Sequence, residues 1–230
     1  MREAHRLERM ASSPYSCVLW DVDGTIVDAS IGILRRLNVA LTHFGKPAPT
    51  REELTHWIGP PMFQSFQDQA GMTPEESAEA VSFYRTLGKA DGYTTDVATY
   101  PGVTELIHDL HAAGVPQATA SSKPENQVDA LIDHFQLRPS FLTTVGATPD
   151  ESTLASKTDI VAEALRRLSA LGADVSRPVL IGDRHHDVEG GNANDVPVIF
   201  VEWGFSEAHE GDDAAFRASS VDELRALLLS

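Results

Sequence analysis

The 230-residue sequence contains one cysteine, and this scarcity excludes an intrachain disulfide framework. A protein without disulfides is typical of a reducing compartment, so the sequence predicts a cytoplasmic location. Cys17 lies in an apolar run that ends at Trp20. We therefore predict that Cys17 is a small buried strand residue rather than a nucleophile.

The sequence also has few basic residues: 18 Lys and Arg stand against 34 Asp and Glu, for a formal net charge of −16. Nucleic-acid polymers are bound by clustered Lys and Arg, so this balance argues against such a partner. A small anionic substrate is still compatible with it, because a metal ion and a few cations make a pocket locally positive. No apolar run approaches the length that spans a bilayer, and no membrane partner is expected. The charged residues 1–14 lack the apolar core of a secretory signal and are predicted to form a flexible tail.

The first strong element is Ser16–Trp20, a continuous apolar run typical of a strand that is buried on both faces. Residues 30–98 then show helical punctuation and no convincing strand. One helix is predicted from Ile31 to Gly45, and three further helix starts are indicated by capping or proline signals at Thr50/Glu53, Pro60-Pro61 and Thr73-Pro74-Glu75-Glu76. Gly88 is predicted to end the last of these helices.

Strand and helix patterns alternate after Tyr100. Strands are predicted at Val115–Ala120, Phe141–Val145, Pro178–Ile181 and Val196–Val201, and helices at Val103–Ala113, after Pro124, at Asp159–Leu171, after Asp187 and at Val221–Leu229. Such alternation predicts a parallel sheet with crossover helices. The expected fold is α/β, with a Rossmann-like parallel sheet in residues 15–29 and 99–230. A helical domain at 30–98 interrupts it, with hinges near Asp28 and Ala98–Pro101.

Four polar clusters follow predicted strands or precede a predicted helix. They are Asp21 with Asp23, Ser121-Ser122-Lys123-Pro124, Lys157, and Gly182-Asp183-Arg184-His185-His186-Asp187. Open parallel sheets bind their ligands beyond the carboxyl ends of the strands. Each cluster alone has a simple structural explanation, but their common location predicts a single functional site.

The sequence DVDGT at Asp21–Thr25 resembles the first motif of the haloacid dehalogenase-like hydrolase superfamily. Ser121 matches the second motif, Lys157 fits the third, and GDRHHD at 182–187 is similar to the acidic fourth. The residues around the motifs, including Ile58-Gly59-Pro60-Pro61, are similar to the phosphoglycolate phosphatases and 5′-nucleotidases of this superfamily. The resemblance covers nearly everything after about Ser16 and implies that the helical block is a small cap.

The resemblance implies a Mg²⁺-dependent phosphohydrolase that acts on small phosphate monoesters. In this mechanism Asp21 attacks phosphorus and forms an aspartyl phosphate, while Asp23 acts first as acid and then as base. Ser121 and Lys157 would bind the equatorial oxygens of the phosphoryl group, over which the charge of the transition state is spread. Mg²⁺ prefers hard oxygen ligands, and those implied here are Asp21, Asp183, Asp187 and the main-chain carbonyl of Asp23.

Substrate contacts are expected from Gly24, Thr25, Ser122, Pro60 and Arg85. Gly24 permits a tight turn that directs N–H groups at the phosphate. Arg85 is an equally good candidate for a solvent-exposed helical residue and for the partner of a second anionic group on the substrate. The expected partner is a small phosphorylated metabolite whose identity is open, and the protein is expected to be a monomer or a homodimer.

Several alternatives stay open at the level of sequence. The same residues suit a phosphomutase, or a catalytically silent phosphate-binding module, although the intact DVD motif argues against the silent module. A solvated Lys157 and a helix-capping Asp187 are the structural alternatives at those two positions. His185 and His186 are predicted to be surface histidines, because adjacent residues on a helix do not face one ligand.

Overall fold

The computed structural model describes residues 12–50, 52–148, 154, 156–207 and 209–229 of the chain. Its helices are α1 (Ser30–His43), α2 (Met62–Ala70), α3 (Pro74–Asp91), α4 (Val103–Ala112), α5 (Glu125–His134), α6 (Lys157–Ala170), α7 (His185–Asn192) and α8 (Val221–Leu228). Its strands are β1 (Cys17–Trp20), β2 (Val27–Asp28), β3 (Ala98–Thr99), β4 (Gln117–Thr119), β5 (Ser121–Pro124), β6 (Gly146–Ala147), β7 (Pro178–Gly182), β8 (Val198–Val201) and β9 (Phe216–Ala218). Short 3₁₀ turns lie at Glu53–His56 and Arg138–Ser140. Most of the predicted flexible tail falls on residues 1–11, which lie outside the described residues.

Five strands form one parallel sheet in the order β4-β1-β7-β8-β9. β1 is an internal strand, as its continuous apolar sequence requires, and Val18 and Trp20 face one apolar layer while Cys17 and Leu19 face the other. Cys17 is therefore a buried strand residue, as predicted, and burial raises the pKa of its thiol to about 11. The predicted α/β fold with a parallel sheet is confirmed. Within the described ranges, no helix has the length and apolar character needed to cross a membrane.

The register of the sheet brings three strand ends to one edge. Trp20, the last residue of β1, pairs with Thr119 of β4 on one side and with Ile181 of β7 on the other. The segments that leave these strands therefore begin side by side, which is where parallel sheets bind ligands.

Helices α1, α2 and α3 form a separate apolar cluster, to which Trp57 and Ile58 in the loop before α2 also belong. We call residues 30–98 the helical insert. Because its apolar side chains pack mainly on one another, the insert has a core of its own beside the two layers that cover the sheet.

The chain enters and leaves the helical insert through a two-stranded antiparallel ladder formed by β2 and β3. The sequence did not predict this ladder, but it lies at the two predicted hinges. We propose that it divides a catalytic unit, residues 15–29 and 99–230, from a cap unit, residues 30–98.

The helix expected at Thr50 and Glu53 is only a 3₁₀ turn. Its capping bonds do form: Thr50 N donates to Glu53 Oε2 at 2.8 Å, and Glu53 N donates to Thr50 Oγ1 at 3.3 Å. The helix does not continue because the chain buries Trp57 and Ile58 and then turns at Gly59, whose φ is +111°.

The prediction that Gly88 ends a helix is wrong, since α3 continues to Asp91. Gly88 is buried, and a Cβ there would meet the side chains of Arg36 and Tyr93 only at an ordinary contact distance of 3.7 Å. Nothing at this position requires the helix to end.

The strand expected at Phe141–Val145 is reduced to one bridge between Thr143 and Ala118. The Thr119 hydroxyl takes the place of a regular ladder partner: it donates to the Val145 carbonyl at 3.0 Å and accepts from Val145 N at 2.7 Å. Regular pairing resumes only at β6, which lies against β5. Strands β5 and β9 were not predicted, and α7 begins two residues before Asp187 rather than after it.

The first turn of α3 offers a direct test of the insert's stability. Thr73 N donates to Glu76 Oε2 at 2.9 Å, and Glu76 N donates to Thr73 Oγ1 at 3.2 Å. Thr73→Ala removes the acceptor for Glu76 N, so we expect it to lower the free energy of unfolding by about 1 kcal/mol.

Thr86→Ala is the matched control, because Thr86 lies inside the same helix and its hydroxyl donates to the Ser82 carbonyl. Alanine is favoured at such an interior position, so this change should cost nothing. Chemical denaturation of both variants gives the comparison, and equal losses would show that the capping box does not stabilise the insert.

Candidate active site

A buried lysine joins the segments that meet at this edge of the sheet. Lys157 is the first residue of α6, and the Ser156 hydroxyl caps that helix by accepting from Asp159 N. Lys157 Nζ donates to Asp21 Oδ1 at 2.7 Å and to the Ala120 carbonyl at 2.9 Å, and it lies 2.7 Å from Asp187 Oδ1. Because Lys157 is only 8% exposed, the alternative of a solvated lysine is wrong.

The surrounding carboxylates keep this ammonium charged. Burial by itself lowers the pKa of Lys157, but the carboxylates of Asp187 and Asp21 outweigh burial and raise the pKa above its ordinary value. Lys157 is therefore a permanent positive charge at the floor of the site.

Three carboxylates converge here. Asp21, Asp183 and Asp187 each offer an oxygen, and these three atoms lie within 4.8 Å of one another. Asp183 follows β7 and is fully buried; its Oδ2 accepts from Phe205 N at 2.6 Å, and its Oδ1 lies 3.4 Å from Thr25 Oγ1. These contacts fix the orientation of the Asp183 carboxylate.

Asp187 is held by contacts on both of its oxygens. Oδ1 lies beside Lys157 Nζ, and Oδ2 accepts from Arg184 N at 3.0 Å across the first turn of α7. A side chain at residue 182 would overlap this carboxylate, which explains why glycine ends β7. The helix-capping alternative for Asp187 is thus part of the structure, alongside its contact with the lysine.

Burial and mutual repulsion disfavour the ionised forms of Asp21 and Asp183. Burial raises the pKa of Asp21 to about 6; Lys157 opposes that shift and Asp187 adds to it. Burial also raises the pKa of Asp183 well above its usual range, and Asp21 and Asp187 raise it further. A divalent cation relieves such repulsion, and a donor set made only of oxygens fits Mg²⁺. The residues present therefore fit the predicted magnesium site.

Asp23 lies at the cavity with one oxygen paired and the other unpaired. Lys123 Nζ is 2.7 Å from Asp23 Oδ2, whereas Asp23 Oδ1 is buried without a hydrogen-bond partner among the described residues. The sequence placed Lys123 in a polar cluster but gave it no role. Its position two residues after Ser121, in the same short strand β5, was the signal that could have identified it.

A cavity of about 80 Å³ lies between the sheet edge and the helical insert. Of the predicted site residues, the sheet side contributes Asp21, Asp23, Ser121, Ser122, Lys157 and Asp187 to its lining, and the insert contributes Pro60 and Arg85. Ser121 is almost fully buried, and its Oγ accepts from Lys123 N at 3.3 Å. The structure thus brings predicted site residues of the sheet and of the helical insert together around one cavity.

Gly24 and Thr25 lie behind this cavity and are not among the described residues that line it. Gly24 has a φ of +90°, as a tight turn requires, but its N–H donates to the Val27 carbonyl at 2.8 Å. Thr25 is fully buried, with its hydroxyl beside Asp183. We therefore assign both residues to the loop that holds Asp183 rather than to direct substrate contact.

His185 and His186 are partly exposed, with 40% and 29% of their side-chain surface accessible to solvent. Their rings lie side by side in the first turn of α7, with centroids 3.8 Å apart, and together with Glu189 they offer donor atoms within 4.8 Å of one another. His186 also lines the cavity. Burial lowers the pKa of His186, and the neighbouring His185 and Arg184 lower it further.

Arg184 is a site residue that the sequence did not single out. It is 4% exposed, its Nε lies 2.8 Å from Glu210 Oε2, and its Nη2 lies 2.9 Å from Glu210 Oε1. Its Nη1 donates to the Ile58 carbonyl in the helical insert. A charged residue between Asp183 and Asp187 was the available signal, but nothing local to Arg184 identifies Glu210 or Ile58 as its partners.

The family model described as haloacid dehalogenase-like hydrolase matches residues 18–201. The chain belongs to this family.

Three proteins illustrate the relationship. Tyrosine-protein kinase PtkA of Mycobacterium tuberculosis is 35% identical over 227 residues, which cover 96% of this chain and 76% of that protein. A 5′-nucleotidase of Pseudomonas aeruginosa is 31% identical over 202 residues, covering 88% of this chain and 89% of that protein. The crystal structure of a predicted phosphatase from Clostridium acetobutylicum has a TM-score of 0.84 and 30% identity, covering 92% of this chain and 97% of that one.

The family assignment confirms the resemblance found in the motifs. The chain is a hydrolase of the phosphatase class within the haloacid dehalogenase-like family, and its relatives include proteins named 5′-nucleotidase and phosphoglycolate phosphatase, as the residues around the motifs predicted. Both names describe the hydrolysis of phosphate esters.

The raised pKa of Asp21 predicts a pH-dependent stability without divalent cations. The folded protein holds this proton more tightly than the unfolded chain, whose Asp pKa is about 3.9. The contribution of Asp21 to the free energy of unfolding is therefore full below about pH 4 and is lost as the pH rises through about 6. The expected loss is on the order of 2 kcal/mol.

Urea denaturation of wild type and Asp21→Asn between these pH values measures the loss, because asparagine does not titrate. Wild type should lose stability relative to the variant as the pH rises. Parallel pH profiles for the two proteins would contradict the raised pKa.

Proposed function

We propose that the chain is a Mg²⁺-dependent phosphohydrolase that hydrolyses small phosphate monoesters through a phosphoryl group on Asp21. One observation carries this proposal: a buried lysine lies 2.7 Å from both Asp21 and Asp187, with Asp183 converging on the same point, below the cavity. This arrangement offers a nucleophile, a fixed positive charge and an all-oxygen cation site in one place.

Asp21, Asp183 and the main-chain carbonyl of Asp23 would hold the ion. Bound Mg²⁺ supplies positive charge that screens the repulsion between an attacking carboxylate and a doubly anionic phosphate. Asp187 was included among the predicted ligands. Since both of its oxygens already contact Lys157 and Arg184, we propose that its main role is to hold Lys157 in place.

Asp21 and Asp23 carry the bond changes in this proposal. An Asp21 oxygen attacks phosphorus in line with the leaving group, the phosphorus–oxygen ester bond breaks, and Asp23 gives its proton to the leaving oxygen. Asp23 then accepts a proton from water, the water oxygen attacks phosphorus, and the Asp21 carboxylate departs with inorganic phosphate as product. Asp23 lines the cavity, and its Oδ1, which has no hydrogen-bond partner among the described residues, would carry both proton transfers.

Lys157 and Ser121 support the phosphoryl group. The Lys157 ammonium is fixed by three oxygens and does not have to reorganise during the reaction, which is the condition for effective electrostatic stabilisation. Ser121 lines the cavity beside it, at the carboxyl end of the β4 strand, and its hydroxyl would donate to a second phosphoryl oxygen.

The proposed substrates are small phosphate esters of the phosphoglycolate or nucleotide kind. The insert side of the cavity contributes Arg85, which would bind a second anionic group, and Pro60. Ser122 lines the same space from the sheet side. The relatives named 5′-nucleotidase and phosphoglycolate phosphatase support this class of substrate.

A second candidate is transfer of the phosphoryl group to an acceptor other than water. A phosphomutase would use a sugar hydroxyl, and the relative named tyrosine-protein kinase PtkA motivates a test of protein acceptors as well. Transfer of the phosphoryl group to Asp21 would be the first step in both the hydrolase and the phosphomutase reaction. Release of inorganic phosphate, measured with and without such acceptors, separates these reactions from one another and from a silent binding module.

The hydrolase proposal predicts Mg²⁺-dependent turnover of an aryl phosphate by the wild type. Asp21→Asn should reduce turnover by at least about a thousandfold, because the nucleophile is lost. Acid quenching during turnover, followed by mass spectrometry, should find a phosphoryl group on the peptide that contains Asp21.

Asp222→Asn is the matched control, because Asp222 is exposed on α8. This variant should retain full activity. Equal activity of Asp21→Asn and wild type, or phosphoryl trapped on another residue, would rule out the proposed nucleophile.

The acid role of Asp23 predicts a dependence on the leaving group. Asp23→Asn should slow hydrolysis of alkyl phosphates by about 10²- to 10⁴-fold, because their leaving oxygen needs a proton. With nitrophenyl phosphate, Asp23→Asn should slow formation of the phosphoryl-enzyme much less, because this leaving group departs as an anion and needs no proton. Pre-steady-state rates over a series of leaving groups measure this; a uniform loss would mean that Asp23 is not the acid.

A further inference from the structure

The segment that follows β8 contacts both the candidate metal site and the helical insert. We call residues 202–207 and 209–211 the strap. The strap lies beyond residue 201, where the match to the family model ends. We infer that the strap positions the Asp183 carboxylate and couples it to the seating of the helical insert, with Phe205 and Glu210 as positioning residues.

One end of the coupling is at Asp183. Phe205 N donates to Asp183 Oδ2 at 2.6 Å, and Gly204 comes so near that any side chain there would overlap the same carboxylate. Trp203 Nε1 donates to the Thr25 carbonyl at 3.2 Å, and the Thr25 hydroxyl lies beside the other Asp183 oxygen. The strap therefore constrains both oxygens of Asp183, one directly and one through Thr25.

The other end of the coupling is at the helical insert. The Phe205 side chain packs against the insert's apolar cluster while its backbone holds Asp183. Glu207 Oε1 lies 2.8 Å from His56 Nδ1 in the 3₁₀ turn of the insert. A movement of the insert away from the sheet would disturb the residue whose N–H orients the metal-site carboxylate.

Glu210 makes a second connection through Arg184. The guanidinium forms a two-point pair with Glu210 and also donates to the Ile58 carbonyl of the insert. Glu210 additionally accepts from His185 N at 3.0 Å. The paired side chains are 5% and 12% exposed, and a buried pair of this kind loses much more stability on loss of one partner than a surface pair does.

Gly59 lies beside the Arg184 side chain, next to the Ile58 carbonyl that Arg184 binds. A Cβ at residue 59 would lie 3.1 Å from the Arg184 side chain, and the φ of +111° also favours glycine. Arg184, which follows Asp183 in the sequence, thus binds Glu210 of the strap on one side and the Ile58 carbonyl of the insert on the other.

The consequence is a thermodynamic linkage, and it rests on the proposed role of Asp183 as a metal ligand. If the strap joins Asp183 to the insert, Mg²⁺ binding alone must favour the seated insert, without any substrate to bridge the two. The test measures that effect in residues 57–66 of the insert, which adjoin the Arg184 contact and include the first half of α2.

Hydrogen–deuterium exchange of these amides, with and without Mg²⁺, is the readout. Coupling of ordinary size should slow their exchange by about fivefold or more in the wild type when Mg²⁺ is added. Phe205→Ala keeps the N–H bond to Asp183 but loses the packing on the insert, and Glu210→Gln weakens the Arg184 connection. Both variants should still bind Mg²⁺ in calorimetry and should lose most of the Mg²⁺-induced protection.

Glu202→Gln is the matched control, because Glu202 lies in the same strap but pairs with Arg217, 2.9 Å away at β9. It should keep the protection seen in the wild type. A merely structural role for Phe205 and Glu210 would lower the melting temperature and leave the Mg²⁺-induced change intact.

The outcomes separate this inference from the proposed function. Mg²⁺ binding to the wild type without protection of residues 57–66 would overturn the inference alone, as would full protection in both strap variants. Failure of the wild type to bind Mg²⁺ would overturn the metal site, and the inference with it. Binding with protection that only the strap variants lose supports both.

Discussion

The site depends on the crowding of three buried carboxylates around one ammonium. Asp21, Asp183 and Asp187 lie too near one another, and too far from water, to be ionised together without help. Lys157 supplies one positive charge, which is not enough to balance all three. The remaining repulsion is the physical reason to expect a divalent cation. In the proposed mechanism that ion would also screen the approach of Asp21 to an anionic phosphate.

The rest of the fold holds this crowded group in place. The parallel register of β1, β4 and β7 sets Asp21, Ala120 and Asp183 at neighbouring strand ends, and α6 begins where its first residue reaches them. The helical insert forms the far wall of the cavity. The strap and Arg184 contact both halves, so the position of the insert and the orientation of the metal-site carboxylate are not independent.

Local sequence patterns predicted the elements of the fold and the acidic part of the site. The apolar run before Asp21 identifies a buried strand, and DVDGT and GDRHHD place carboxylates at strand ends without any knowledge of their partners. Contacts between distant residues left no such pattern. The pairing of Arg184 with Glu210 and the Ile58 carbonyl depends on how the insert and the strap pack, so it could not be predicted. The lost strand at Phe141–Val145 has the same origin, because the Thr119 hydroxyl replaces its ladder bonds.

The central claim is that a hard divalent cation binds between Asp21 and Asp183. Mn²⁺ accepts the same oxygen ligands as Mg²⁺ and scatters anomalously, so a crystal grown with Mn²⁺ locates the ion directly. The account predicts an anomalous peak about 2.1 Å from one oxygen of each of these carboxylates, with Lys157 still beside Asp21. A peak at His185, His186 and Glu189 with none between Asp21 and Asp183 would contradict it.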